Sequence, residues 1–172
     1  MVGERYTAYT DGGCRNLSVY GEGGSAYVII HEGEVVKKAS KGFVHTTSNR
    51  MEMLAIISAV NSVPEGSHLR IFSDSKYAIS TLSGFWMPKV NTDLVSLFKE
   101  RSKRLGSVRF KWLKGHNGDK YNEMVDAMCT EAIRTITEKY KLPKDRFKKR
   151  SRHAKRSIGF NRLYNKSKSN VR

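Results

Sequence analysis

Cysteine is scarce in this sequence. Only Cys14 and Cys129 stand among 172 residues, and they form neither a CxxC pair nor a cluster with histidine. That argues against a disulfide framework or a Cys/His zinc site and makes a reducing, intracellular (cytoplasmic) setting the expectation. Long apolar runs are missing as well. No stretch reaches the ~18 apolar residues of a membrane-spanning helix, and the N-terminus enters a strand-like run with no apolar leader. A membrane role is therefore not expected. Acids are almost absent from one end: residues 139–172 hold 14 lysines and arginines against Asp145 alone, a net of +13. Residues 1–138 hold 18 against 15, a net of +3. The overall charge of +16 is thus mostly a tail property, and it points to a polyanionic partner such as nucleic acid.

What is present reads as one domain over 1–140, followed by a basic tail over 141–172. Residues 5–10 alternate like a strand, and 11–23 read as a glycine-marked loop. Residues 24–31 and 35–43 form a hairpin about the turn "EGE" at 32–34. A helix is predicted over 46–63, capped by Thr47 or Ser48 and ended by Pro64 and Gly66. Then come a buried-type strand at 69–73, a short helix after it, an amphipathic helix over 91–106, a strand at 108–113 and a helix over 122–137. Three strands in a meander, followed by strands alternating with helices, predict a mixed sheet covered by helices, an α/β domain without internal repeats.

Four acids occupy unusual places. Asp11 and Asp74 each follow a strand, and active sites of open α/β sheets gather beyond the carboxyl ends of strands. Adjacent first and fourth strands would set these two side by side. Glu52 and Asp126 each stand among apolar neighbours in a helix, where an ionised group is costly unless compensated. Clustered carboxylates raise one another's pKa unless cations lie between them, and hard oxygen ligands suit Mg²⁺ or Mn²⁺. Each acid also has an ordinary reading. Asp74 would cap a helix, Glu52 would face a helix dipole, and Asp126 would pair with a lysine or arginine.

The residues around these acids resemble type I ribonuclease H. The matching pieces are "YTDGGC" (9–14), "TTSNRMEMLA" (46–55), "IFSDSKYAI" (71–79), "WLKGHNG" (112–118) and "NEMVDAMC" (122–129), in the order of that family. The resemblance implies a ribonuclease H-like fold, a five-stranded mixed sheet with an antiparallel meander, parallel strands and flanking helices. It also implies hydrolysis of the RNA strand of RNA–DNA hybrids, leaving 5′-phosphate and 3′-hydroxyl ends. Asp11, Glu52, Asp74 and Asp126 match the family's four carboxylates, which hold two divalent ions, normally Mg²⁺ with Mn²⁺ as a substitute. Asp11 would bridge them, Asp126 would complete the ion beside the attacking water, and Glu52 and Asp74 would hold the other. His116 matches a mobile-loop histidine that assists proton transfer or product release. Cys14, Ser48, Asn49 and Lys76, with Glu52, match positions that read 2′-hydroxyls, Lys76 in place of glutamine can also contact a phosphate, Asn16 stands in for the asparagine of that family's loop, and Thr47 matches a DNA-phosphate contact. Trp86 matches an aromatic on the DNA strand, with a partly buried core aromatic as its ordinary alternative.

The sequence also departs from that family. The loop after Asp11 lacks an asparagine-proline-glycine run, Ser48 replaces asparagine and Lys76 replaces glutamine. Only "MPKV" (87–90) stands where bacterial relatives carry a basic protrusion. The tail, with Lys148, Lys149, Arg150 and Arg152 in a dense run, is expected to grip phosphates in its place. A monomer is expected. Two other readings stand beside the hydrolase: a hybrid- or double-stranded-RNA-binding module without turnover, and a DNA nuclease of the same superfamily.

Overall fold

In a computed structural model the described residues are 3–15, 18–115 and 118–140. They form β1 (Arg5–Cys14), β2 (Gly23–His31), β3 (Glu34–Phe43), α1 (Ser48–Val60), β4 (His68–Ser73), α2 (Lys76–Leu82), α3 (Thr92–Ser102), β5 (Ser107–Trp112) and α4 (Lys120–Lys139). This is the expected order of elements. The sheet runs β3-β2-β1-β4-β5, with β1–β2 and β2–β3 antiparallel and β1–β4 and β4–β5 parallel. The expected adjacency of the first and fourth strands is present. Among the described residues no helix is long and apolar enough to cross a membrane.

β2 is buried along nearly its whole length because both of its faces are covered, which explains its unbroken apolar run. β3 is the edge strand, and its exposed Lys37, Lys38 and Lys41 discourage pairing with another chain. Glu32 and Gly33 take positive φ values of 50° and 84°, the signature of a tight hairpin turn. α1, α2 and α3 cover one face, where Ile29, Met53, Ile56, Leu69 and Ile71 form the larger core. α4 lies across β1, β2 and β3 on the other face, over Ala26, Val28, Ile30, Val125 and Cys129.

Three expectations are corrected. β1 does not end at Thr10; it continues through Asp11, Gly12, Gly13 and Cys14, paired with β2 as far as Gly23. Glycine in this stretch therefore serves close packing rather than a turn. Gly12 faces α1, and a Cβ there would collide with the Glu52 backbone. On the opposite face Gly13, Gly24 and Gly42 are register partners across three strands, forming a bare row beneath α4. A Cβ at Gly24 would stand 2.6 Å from the Cys129 carbonyl oxygen, and one at Gly42 2.6 Å from that of Ala132.

The second correction concerns caps. Ser75, not Asp74, caps α2, accepting from the Ala78 amide at 3.1 Å. Thr47 caps α1 through the Arg50 amide. The third concerns α3, which stops at Ser102 rather than 106. Leu105 is still buried, carried by the turn that follows the helix. The start of α3 is tied back to α1 by Arg50, whose guanidinium holds Asp93 at 2.6 and 3.0 Å and the Asn91 side chain at 3.2 Å.

Candidate active site

The sheet brings its carboxylates together at the carboxyl ends of β1 and β4. Asp11 projects from β1 on the α4 side, Asp74 follows the last residue of β4, and Glu52 enters from the second turn of α1. One oxygen from each lies within 4.8 Å of the others. Asp126 on α4 is near enough to raise the pKa of Asp11 by its charge. The four sequence-predicted acids thus share one address, three in a tight cluster and the fourth acting on it.

The electrostatics are those of converging acids. Burial is the largest cause that pushes Asp11 from 3.8 up to about 6, followed by the charges of Asp74 and Asp126. Burial, then Asp11 and Asp74, hold Glu52 well above the usual carboxylate range. Among the described residues the charged side chains acting on these two are other acids, and the Gly12 amide and the Cys129 thiol offer relief. Glu52 Oε2 is buried without a hydrogen-bond partner among the described residues. A buried oxygen left so, among converging carboxylates, fits a hard divalent cation.

Local packing sets each acid. Gly12 lets α1 approach β1 closely enough to place Glu52 beside Asp11. Trp112 donates its indole N–H to the Asp74 carbonyl at 3.0 Å, fixing the turn that follows β4. Gly115 lies directly against Asp74 Oδ2, where any Cβ would collide. The glycine before His116 is thus a contact surface, not merely a flexible joint.

The other sequence-predicted residues are distributed around this centre. Cys14 ends β1 and its thiol bonds to the Thr46 carbonyl at 3.3 Å, so it borders the start of α1, where Thr47, Ser48 and Asn49 stand. Lys76 is exposed at the start of α2, its ammonium 4.5 Å from the centre of the Trp112 ring. Trp86 is 49 % exposed and meets Tyr77 edge-on at 5.5 Å, so about half of its surface packs on the domain and half faces solvent. Phe85 beside it is 90 % exposed. Asn16, His116 and the tail lie outside the described residues.

Sequence reasoning missed Cys129. It stands one helical turn from Asp126 on α4, donates to the Gly24 carbonyl at 3.3 Å and faces Asp11. Burial and the Asp11 charge push its pKa up, so it remains a neutral thiol that can donate to a carboxylate. The i,i+3 spacing from Asp126 was the available signal.

A helix-covered mixed sheet with carboxylates gathered at the ends of β1 and β4 frames an α/β hydrolase with an acidic centre. The comparisons narrow it. The RNase H family model matches residues 3–134. Ribonuclease H of Neorickettsia sennetsu is 35% identical over 147 residues, covering 78% of this chain and 96% of that protein. Ribonuclease H of Campylobacter curvus is 34% identical over 137 residues, covering 73% and 90%. Among solved structures, the N-terminal RNase H domain of a Mycobacterium tuberculosis protein superposes with a TM-score of 0.71 at 16% identity, covering 80% of this chain and 99% of that one. RNase H1 of Halobacterium salinarum gives 0.64 at 22%, covering 76% and 98%. The chain belongs to the RNase H family.

Proposed function

We propose that this enzyme cleaves the RNA strand of RNA–DNA hybrids with two divalent ions, normally Mg²⁺, leaving 5′-phosphate and 3′-hydroxyl ends. The observation that carries this reading is the cluster of Asp11, Glu52 and Asp74 within 4.8 Å. Those three would hold one ion, and Asp11 with Asp126 the other. Bound there, the ions would offset the negative charge that builds on the phosphoryl oxygens and make a coordinated water more acidic.

The remaining steps belong to the chain's own residues. The carboxylates must be ionised to bind cations, so the raised pKa of Asp11 sets a lower pH limit on loading. Cys129 holds Asp11 in orientation through its thiol. Gly12 supplies its amide to Asp11 and Glu52 and keeps their backbones close. Cys14, Asn16, Ser48 and Asn49, from the end of β1 and the start of α1, would meet 2′-hydroxyls, the groups that distinguish RNA from DNA. Thr47, Lys76 and Trp86 would meet the DNA strand and its phosphates. His116, next to Gly115, would carry a proton to or from the reacting oxygens. The basic tail would add phosphate contacts independent of sequence.

Labelled hybrid, duplex DNA and duplex RNA, each incubated with Mg²⁺, test the reading. Cleavage of the hybrid's RNA strand alone is expected, with 5′-phosphate product ends. Intact hybrid under conditions that leave the protein folded would refute it.

A further inference from the structure

Among the described residues nothing covers half of the α4-facing side of the sheet. α4 crosses β1, β2 and β3, and beyond it β4 and β5 present Arg70, Arg109 and Lys111 to solvent. On this open half lies a cleft of about 500 Å³ lined by Arg5, Thr7, His68, Arg70, Ser107 and Arg109. The sheet register builds it. Arg5, His68 and Ser107 form one row across β1, β4 and β5, and Thr7, Arg70 and Arg109 form the next.

Two features set this cleft apart from an ordinary solvated surface. Arg70 and Arg109 are direct neighbours on adjacent strands, where like charges repel. Yet among the described residues none of Arg5, Arg70 and Arg109 has an ion-pair partner, whereas Arg15, Arg50, Arg101 and Arg134 all do. The repulsion stands uncompensated within the fold. An external anion would relieve it, and paired guanidiniums match phosphate oxygens in a planar fork.

The cleft also continues toward the acids. Two residues further along the same face, Tyr9 and Phe72 stack at 4.8 Å, with Tyr121 at 5.3 Å from Tyr9. Two residues beyond them stand Asp11 and Asp74. At about 3.3 Å per residue, the path from Arg5 to Asp11 is roughly 20 Å and that from Arg70 to Asp74 roughly 13 Å. Cations for phosphates, then aromatic rings for bases, then the acidic centre, follow one another along a single sheet face. That is how proteins grip single-stranded nucleic acid. The hydroxyls of Thr7 and Ser107 stand in the arginine rows, and His68 holds the Ser107 hydroxyl at 2.9 Å. Neutral hydroxyls between guanidiniums suit 2′-hydroxyls.

We propose that this arginine-lined face is a second nucleic-acid site, which takes the unpaired extension of an RNA strand whose paired part lies at the acidic centre. The proposal rests on the function proposed above only for the paired part; single-stranded RNA binding is its own readout.

The experiment measures fluorescence anisotropy on the full chain in chelator, so that nothing is cleaved. The probes are a blunt hybrid, the same hybrid with an RNA extension at either end, the same with a DNA extension, and a free oligoribonucleotide. The wild type is expected to bind one RNA-extended hybrid about tenfold more tightly than the blunt one, with a steeper salt dependence. The triple variant Arg5→Gln/Arg70→Gln/Arg109→Gln should lose that gain, and its log–log salt slope on the extended probe should fall by about 2. Its affinity for blunt hybrid and its cleavage of it should stay within about twofold of wild type. The triple lysine variant should keep most of the gain, which separates charge from folding. Four outcomes overturn the proposal: no gain from an extension in the wild type, a gain that survives in the glutamine variant, an equal loss on blunt hybrid, or a DNA extension bound as tightly as RNA. If the enzyme cleaves no hybrid yet the variant loses the oligoribonucleotide, the proposed function falls and the site stands.

Discussion

At Asp11 a buried carboxylate stands among three other acids, and its protonation is tied to folding. Its pKa is about 6 in the folded chain against 3.8 when unfolded, so the folded state binds the proton more tightly. The stabilisation from that proton is full below about pH 4 and is lost as pH rises through about 6, a swing of about 2–3 kcal/mol. Removing the charge removes the loss. In chelator at neutral pH, Asp11→Asn should melt at a higher temperature than wild type, and the gap should shrink toward pH 4. Adding Mg²⁺ should raise the wild-type Tm and leave the variant unmoved, while turnover disappears in the variant. A variant that melts lower than wild type at neutral pH would show that Asp11 is not under electrostatic stress. Gly115→Ala is a second test at this scale. Its Cβ would press on Asp74 Oδ2, so hybrid cleavage should fall by at least about tenfold while the melting temperature changes little. Unchanged kcat would separate the loop from the reaction.

Elements depend on one another through positions that carry no side chain. α4 sits low over the sheet because Gly24 and Gly42 lie beneath it without side chains. In Gly24→Ala, a Cβ meets the Cys129 carbonyl, a backbone atom that cannot rotate away. Overpacking of this kind costs typically 1–3 kcal/mol, and urea denaturation should show a loss of at least about 2. Because α4 carries Asp126 and Cys129, cleavage should fall as well. By contrast, Arg50 and Asp93 are partly exposed, so Arg50→Ala should cost less than about 1 kcal/mol in the same assay. The sequence made much of this scale legible. Alternation and helical spacing placed the nine elements in order, and the TTSNRMEM stretch narrowed the cap to Thr47 or Ser48, of which the structure shows Thr47. The end of β1 was misread because glycine signals both turns and close packing. Only the tertiary approach of α1 and α4 decides between them.

Over the whole molecule, charge is divided by position. The acids converge at one end of the sheet, while the cations crowd the sequence beyond Tyr140. Truncation of residues 141–172 should weaken hybrid binding most at low salt and flatten its salt dependence, with kcat at saturating substrate kept within about threefold. An unchanged slope would make the tail a bystander. Taken singly, each of the four carboxylates had an ordinary reading; they stood out in sequence because the motifs around them resemble those of ribonuclease H. Cys129 was harder to pick out, since a buried cysteine is among the most ordinary of core residues and its i,i+3 spacing from Asp126 was the one sequence signal. The arginine rows could not be picked out, because Arg5, Arg70 and Arg109 lie far apart in sequence and only the parallel register makes them neighbours.

The glycine row sets a gauge. Asp126 reaches the other acids from a helix whose height above the sheet is fixed by bare backbones, so the opening between it and Asp11 is a matter of layer thickness. Ions differ in radius by a few tenths of an ångström, which is also the scale on which a packed layer yields. On the proposed function, the choice of divalent ion would be written partly into Gly24 and Gly42, where a Cβ would meet the α4 backbone. Thickening the layer at Gly42, the position farthest from Asp11 along the row, is the direct way to retune that choice.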